Sequence, residues 1–348
     1  MFFKKKILGI DVGSHTIKII EVDGGSKSST IMSFAMISTP PDAMHPSEPT
    51  NNQVLSKAIT QLIREISTKR KNVAITLLGS SAIVKKISLP KMGEDLVAEQ
   101  IRWEAEQYIP YDLDAIHLDY KILNTSRNPE LMDLLLIAAP KDKVFETVEL
   151  IELSGLQPEI IDVAGLSLAN CYLKNYGASN NQRVGLLNVG ASYSSFVVIE
   201  GSEVIFCRDL AVGGSAYTQE IMRNLGLSQP EAEALKVSVS NGQPGPDEIV
   251  KVMQASHELV MDELNSAFDF FSSLVGGDSV KRLFITGGGS RALGLKDRIK
   301  QKITIETLNP FLTMKANTKR LDSKYLLSVQ DFASIAVGVG VRQSGDAE

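Results

Sequence analysis

The stretch LGIDVGSHTIKIIEVDG (residues 8–24) places an acid, a glycine and small polar residues between two apolar strands. An ordinary hairpin needs no more than Asn-Gly at its turn, so Asp11, Gly13, Ser14 and Thr16 suggest a ligand. Free backbone N–H groups in such a turn bind phosphate oxygens, and a carboxylate there holds a hydrated metal ion. The pattern therefore predicts a phosphate-binding turn.

The same pattern recurs at RVGLLNVGASYSSFVVIEG (residues 183–201), with Asn188 in the place of Asp11 and Gly190 in the place of Gly13. Because it occurs only twice, it indicates two related lobes and not a solenoid. Both turns are then expected to face a shared cleft.

A run of three glycines, Gly287–Gly289, lies between a strand-like and a helix-like segment in KRLFITGGGSRALGLKDRIK. Glycines there let a ligand approach the backbone, at a helix predicted over 292–300 whose N-terminus favours anions or polar ring edges. Neither the G-x-G-x-x-G dinucleotide pattern nor the Walker A pattern is present. A tight β–α connection explains the run equally well.

Composition predicts a globular protein of about two domains. The 348 residues are 43% hydrophobic and 22% charged, and the net charge of −5 argues against a nucleic-acid-binding surface. Cys171 and Cys207 are the only cysteines, so a disulfide framework is not expected and a reducing, cytoplasmic setting fits best. After the opening MFFKKK, polar residues from Asp11 onward interrupt any apolar region, which predicts an exposed lead and not a signal peptide, with a weak contact to acidic lipid as the alternative.

Two hairpin turns and a glycine-rich turn in this order resemble the actin, heat-shock-70 and sugar-kinase superfamily. The resemblance implies an α/β, actin-like ATPase fold of two lobes with duplicated ribonuclease-H-like cores and an FtsA-type inserted subdomain. The expected bounds are 1–80 for the lobe 1 core (1A, completed by 166–183 and 330–348), 81–165 for the insert (1C) and 184–329 for lobe 2 (2A, with 2B at about 213–279).

The resemblance also implies ATP and Mg²⁺ between the lobes, with one turn on each side of the phosphates. The residues that it assigns to the nucleotide are Asp11 (through metal-bound water), Gly13, Ser14, His15, Thr16, Lys18, Asn188, Gly190, Ala191, Ser192, Tyr193, Gly213, Gly214, Glu233, Lys236, Gly287, Gly288, Gly289 and Ser290. Of these, Glu233 would bind the ribose hydroxyls and Lys236 would lie against the base. A solvated E-x-x-K pair is the alternative for these two residues.

Asn188 departs from the pattern of the family members that hydrolyse ATP, whose second turn normally begins with Asp. An amide cannot supply the negative charge that helps to hold Mg²⁺ and polarise the attacking water. ATP binding is therefore expected, with hydrolysis slow or absent.

The segment EQIRWEAEQYIPYDLDAIHLDY (residues 99–120) closely resembles the PilM family, actin-like cytoplasmic proteins of type IV pilus assembly. The residues that carry this match are Glu104, Glu106, Gln107, Tyr108, Ile109, Pro110, Asp112 and Asp119. The resemblance implies an adaptor that holds the cytoplasmic N-terminal peptide of PilN, an inner-membrane partner, between the insert and the first lobe. Other pilus proteins and a second copy of the chain are further possible partners.

The candidates to line that peptide groove are Ile83, Val84, Ile87, Ile101 and Trp103, and the insert's own core is the alternative for each. An FtsA-like division protein is expected to end in an amphipathic membrane helix, whereas this sequence ends VRQSGDAE. A polymerising actin-type ATPase of cell division or the cytoskeleton stays open, because filament contacts leave little trace in sequence.

Overall fold

The computed structural model describes residues 6–24, 28–41, 43–44, 50–126, 128–275 and 280–346. The strands are β1 (Leu8–Val12), β2 (Thr16–Gly24), β3 (Ser29–Ser38), β4 (Asn72–Thr76), β5 (Ile83–Pro90), β6 (Ile116–Leu123), β7 (Leu131–Pro140), β8 (Gln157–Asp162), β9 (Ser179–Val189), β10 (Ser194–Gly201), β11 (Glu203–Leu210), β12 (Arg282–Thr286), β13 (Thr304–Thr307) and β14 (Lys315–Ala316). The helices are α1 (Asn52–Ile66), α2 (Glu94–Tyr108), α3 (Lys141–Leu153), α4 (Ala164–Tyr176), α5 (Gly214–Leu225), α6 (Gln229–Ser240), α7 (Asp247–Val275), α8 (Leu295–Lys300), α9 (Ser323–Val329) and α10 (Ser334–Gly340).

Two sheets share one topology, as the repeated hairpin predicts. The first sheet has the order β14-β3-β2-β1-β4-β8, and the second has the order β11-β10-β9-β12-β13. In each, the central strand pairs antiparallel with the next strand of the chain and parallel with the strand on its other side. The predicted duplication of the lobe core is thus confirmed.

Strand β1, at the centre of the first sheet, is apolar except for Asp11, because both faces of that sheet are covered. All five residues of β1 are buried, which is typical of a strand between two layers. Helix α10 packs against the first sheet and α4 so closely that a Cβ on Gly338 would lie 1.7 Å from the carbonyl oxygen of Ser167. Small residues in α10 therefore allow backbone-to-backbone packing between the two helices.

The insert has its own antiparallel sheet in the order β5-β7-β6, covered by α2. It spans only Ile83–Pro140, because α3 packs on α1 and β8 pairs with β4 of the first sheet. The predicted bound at 165 is thus too late. Likewise β14 pairs with β3, so the chain returns to the first sheet by Lys315, before the predicted bound at 329. Periodicity identifies a strand but not the sheet that it joins.

Contacts of the insert extend to the second lobe as well. Lys121 of β6 forms an ion pair with Glu203 of β11, with 2.7 Å between Nζ and Oε2. Val84 and Ile137 pack against an apolar cluster that includes Val204 and Cys207 of the same strand. Strand β11 therefore joins the insert to the second sheet.

Within the described residues, no helix is both long and apolar enough to cross a membrane.

Candidate functional site

The first turn, between β1 and β2, is closed by a hydrogen bond from the Gly13 amide to the Thr16 carbonyl oxygen (3.1 Å). Lys18 Nζ donates to Asp11 Oδ2 at 2.9 Å and to the Thr16 carbonyl oxygen at 3.2 Å. Asp11 and Lys18 are directly opposite each other in the β1–β2 pair, and both are buried. Ser14 and His15 are exposed at the tip. The turn therefore presents polar groups to solvent above a fixed, buried ion pair.

The second turn repeats this geometry between β9 and β10. The Gly190 amide donates to the Tyr193 carbonyl oxygen at 3.1 Å, the bond equivalent to that of Gly13. Its outer carbonyl groups accept bonds from the start of α5, where the Gly214 amide donates to the Gly190 carbonyl oxygen at 2.9 Å. A Cβ on Gly213 would lie 2.4 Å from the carbonyl oxygen of Ala191, so glycine is needed for this approach.

The triple glycine packs against the second turn. A Cβ on Gly289 would lie 2.8 Å from the carbonyl oxygen of Gly190. Gly287 has a φ of +93° and donates its amide to the Asp331 carbonyl oxygen at 2.8 Å, and Gly288 lies against the ring of Phe332. This crowding requires the glycines whether or not a ligand is present.

Two expectations for this segment are corrected by the structure. Ser290 is buried and donates its hydroxyl to the Gly287 carbonyl oxygen at 2.7 Å, so its side chain stabilises the turn and does not face the cleft. The helix predicted to begin at Ala292 begins at Leu295, because a short 3₁₀ turn over Gly288–Arg291 comes first. The glycines therefore do not lie at an α-helix N-terminus.

Glu233 and Lys236 of α6 are part of a network and not a solvated pair. Lys236 Nζ donates to Glu233 Oε2 at 2.7 Å, to Thr218 Oγ1 at 2.9 Å and to the Gly214 carbonyl oxygen at 3.0 Å. Burial raises the pKa of the Glu233 carboxyl, but the hydrogen bond and charge of Lys236, the Thr218 hydroxyl and the charge of His15 outweigh it, so the net pKa lies below its usual value. The network therefore fixes α6 against the start of α5.

The two turn tips meet across the cleft. The hydroxyl of Ser192, in the second turn, donates to the hydroxyl of Ser14, in the first, at 2.9 Å. Residues 178 positions apart are thereby brought into contact at equivalent places in the two lobes. The structure thus brings the two predicted turns together.

Sequence reasoning missed Asp209, which lies in the same row as Asn188. Across the second sheet, Asn188 is opposite Ser195 and Ser195 is opposite Asp209, so the three residues share one face. The carboxylate of Asp209 accepts hydrogen bonds from the hydroxyls of Ser195 and, from the other lobe, Ser80, both at 2.8 Å. Burial raises the pKa of Asp209 despite these two bonds. An acid at an inward position of β11 was the available signal.

Asp162, at the end of β8, was missed as well. It is buried, and its carboxylate accepts the Val163 amide at 2.8 Å and Arg342 Nη1 at 3.1 Å. Burial raises the pKa of Asp162, against the opposing charge of Arg342. An acid between a buried strand and a helix was the sequence signal for this residue.

The residues predicted to line a peptide groove do not share one surface. Ile87 and Ile101 are buried in the insert's own core, and Ile83 packs on that core. Val84 points to the other face of β5, toward the cluster shared with the second lobe. Trp103 is 71% exposed on the outer side of α2. The periodicity of β5 and α2 places these five side chains on different faces. Ile87 and Ile101 therefore belong to the insert's own core, the alternative that the sequence left open for them.

The side chains present fit a nucleotide better than a metal held by protein alone. Across the described residues, no group of three or more His, Cys, Asp or Glu side chains could hold a metal ion. Mg²⁺ commonly takes one or two carboxylates and completes its shell with water and substrate phosphate. Asp11 with Lys18, beneath a tip of exposed polar residues, suits that arrangement.

Comparison with known proteins identifies the family. The family model of the type IV pilus assembly protein PilM matches residues 9–344. A solved structure described as a PilM-PilN type IV pilus biogenesis complex superposes with a TM-score of 0.86 at 24% identity, covering 98% of this chain and 100% of that one. The ethanolamine utilization protein EutJ from Carboxydothermus hydrogenoformans gives a TM-score of 0.52 at 10% identity, covering 98% and 90%. These likenesses confirm the actin-like fold, and the chain belongs to the PilM family of type IV pilus assembly proteins.

Proposed function

We propose that this chain is an ATP-binding adaptor of the type IV pilus assembly complex that binds the N-terminal cytoplasmic peptide of PilN. The observation that carries the nucleotide part is the meeting of two equivalent turns at Ser14 and Ser192. The partner part is supported by the family match and by the similar structure of a PilM-PilN complex. The adaptor would act at the cytoplasmic side of the inner membrane, where PilN holds it.

ATP with Mg²⁺ is the proposed ligand of the cleft. The phosphates would lie between the two turns, with Lys18 supplying positive charge and Asp11 holding metal-bound water. On the side of the second lobe, Lys236 donates to both Glu233 and the Gly214 carbonyl oxygen, and this surface would hold the nucleoside. When bound, Mg²⁺ would neutralise phosphate charge.

Retention of ATP, and not its rapid turnover, is the proposed state. Asn188 offers no charge at the start of the second turn. The nearby carboxyl of Asp209 has both oxygens engaged by serine hydroxyls and a raised pKa, so it is poorly placed to replace an ionised aspartate. A phosphate-release assay should give negligible steady turnover, and rapid hydrolysis would overturn this part.

Isothermal titration with Mg-ATP tests the nucleotide site. Lys236→Met removes the ammonium that connects α6 with Gly214, so we expect weaker binding in a protein that remains folded by circular dichroism. Lys300→Met is the matched control, because Lys300 is an exposed lysine that pairs with Asp297 of its own helix. Equal affinity of Lys236→Met and wild type would contradict the site.

A fluorescently labelled PilN N-terminal peptide tests the partner. Of the predicted groove residues, Ile83 and Val84 are half-buried on β5, so truncation there should weaken binding. We expect Val84→Ala to raise the Kd measured by anisotropy, and Val250→Ala, which shortens an exposed valine of α7, to leave it unchanged. A peptide that fails to bind the folded wild type would refute the partner assignment.

A further inference from the structure

Helix α2 has one buried apolar face and one exposed face of mixed apolar and acidic residues. Val97, Ile101 and Ala105 pack into the core of the insert. On the opposite side, an outward stripe recurs at helical spacing and consists of Leu96, Glu99, Trp103 and Glu106. Of these, Leu96 is 53% exposed and Trp103 is 71% exposed. Large apolar side chains grouped on a surface are typical of an interaction site.

The chain after α2 folds back to make this stripe one wall of a pocket. Residues 111–114 form the other wall, where Asp112 Oδ1 accepts the Asp114 amide at 2.9 Å and starts a 3₁₀ turn. The pocket has a volume of about 610 Å³, and its lining includes Trp103, Tyr111 and Leu113. A cavity of this size admits several side chains of an extended or helical peptide.

Negative charge surrounds the aromatic floor. The lining has four carboxylates, from Glu99, Glu106, Asp112 and Asp114, but one guanidinium, from Arg102. The guanidinium is 3.9 Å from the exposed carboxylate of Asp114. In the part of the chain that the structure describes, Glu99 and Glu106 have no cationic partner. The pocket therefore favours cations and repels phosphate, nucleic acid and acidic lipid.

We propose that this pocket docks a segment of a partner protein that combines Lys or Arg side chains with apolar ones. Its cations would pair with Glu99 and Glu106 and lie over the ring of Trp103, while its apolar side chains would cover Tyr111 and Leu113. This site is separate from the proposed PilN groove on β5, because α2 lies between them. The buried side of α2 packs on the insert sheet, and the pocket lies on its outer side. The proposal does not depend on nucleotide binding.

Trp103 is the sole tryptophan of the chain, so its emission reports directly on the pocket. The probe is a synthetic amphipathic helix of Leu and Lys, compared with the same helix built of Leu and Glu. We expect the Leu–Lys peptide to shift the Trp103 emission with an affinity that falls as salt rises, and the Leu–Glu peptide to leave the emission unchanged.

Glu99→Gln/Glu106→Gln should weaken binding of the Leu–Lys peptide about tenfold, since two exposed ion pairs are lost. The matched control is Asp262→Asn/Asp269→Asn, which removes two exposed carboxylates from α7 and should bind like wild type. Trp103→Ala, followed by anisotropy of the labelled peptide, should weaken binding as well.

Equal weakening in both double variants would overturn the proposal, because binding would then depend only on overall charge. Displacement of the Leu–Lys peptide by the PilN peptide would also overturn it, since the two sites would be one. If wild type self-associates in sedimentation and Glu99→Gln/Glu106→Gln is monomeric, the occupant is a second copy and the proposed partner is wrong.

Discussion

Replacing Asp11 by Asn tests both the stability and the chemistry of the first turn. The carboxylate lies 2.9 Å from Lys18 Nζ, and the two side chains are 11% and 10% exposed. After the replacement, the Lys18 ammonium still donates to the Thr16 carbonyl oxygen at 3.2 Å and to a neutral amide oxygen. It no longer has a negative charge beside it.

Removing one partner of a buried ion pair lowers the free energy of unfolding by about 3–5 kcal/mol, because the other charge stays buried with neither water nor a partner. The amide still accepts a hydrogen bond, so we expect a loss near the lower end, about 3 kcal/mol. Glu220→Gln is the comparison, since Arg223 in that pair is 73% exposed. Pairs exposed to this degree contribute about 1 kcal/mol or less.

Urea unfolding of the nucleotide-free protein, followed by circular dichroism, measures both losses as shifts of the midpoint at constant slope. The double variant Asp11→Asn/Lys18→Met removes both charges and should recover most of the stability, because the uncompensated ammonium is gone. Its affinity for Mg-ATP should nevertheless stay below that of wild type, since Asp11 and Lys18 are both proposed to act on the bound ligand.

Two results would refute this reasoning. A loss of stability in Asp11→Asn no larger than that in Glu220→Gln would mean that Lys18, left without its partner, is not an uncompensated buried charge. Wild-type affinity for Mg-ATP in the stable double variant would mean that Asp11 and Lys18 have a structural role alone.

Three further predictions follow from buried groups. Gly338→Ala places a methyl group 1.7 Å from the Ser167 carbonyl oxygen and should lower the free energy of unfolding by about 3 kcal/mol; an unchanged urea midpoint would contradict this. Burial raises the folded-state pKa of Asp209, so its ionisation opposes folding. Asp209→Asn should therefore be more stable than wild type at pH 7, and the difference should vanish toward pH of about 4, where unfolded carboxyls protonate. A difference in stability that does not change with pH would contradict this prediction. Cys171 and Cys207 are buried with raised thiol pKa values, so Ellman's reagent should react with both only after unfolding, and prompt labelling would disprove this.

The duplicated core was predictable because its signal is local. Each turn contains a glycine whose amide bonds the carbonyl oxygen three residues on, at Gly13 and at Gly190, and each is bounded by apolar strands. Sheet membership is not local, since β8 and β14 have only ordinary strand composition. Their partners, β4 and β3, are strands far from them along the chain.

The turn residues of the site were predictable for the same reason, whereas its buried acids gave only a weak signal, an acid near the end of an apolar strand. Asp209 lies within EVIFCRDL, where nothing in the sequence indicates that it faces Ser80 of the other lobe. The groove candidates were uncertain for a different reason. An apolar residue such as Ile101 has the same spacing whether its face meets its own subdomain or a partner, and only the packed insert distinguishes the two.

Three of the polar contacts between the second lobe and the rest of the protein lie at the turn tips and on β11. They are Ser14–Ser192, Ser80–Asp209 and Lys121–Glu203. Two of them lie on β11. Across the sheet, Asp209 of β11 is opposite Ser195 of β10, which is opposite Asn188 beside the second turn.

Each contact is worth about 1 kcal/mol, so separating all three costs about 3 kcal/mol. A ligand that binds one arrangement of the lobes about 100-fold more tightly than another supplies about 2.7 kcal/mol. These three links, taken alone, are therefore weak enough for one bound nucleotide to offset; the bonds of Thr286 to Ser334 and Asp331 and the apolar cluster that both lobes share are separate contributions. A change at the cleft that displaces β11 must also move or break its ion pair with the insert, the subdomain that the PilN peptide is proposed to contact.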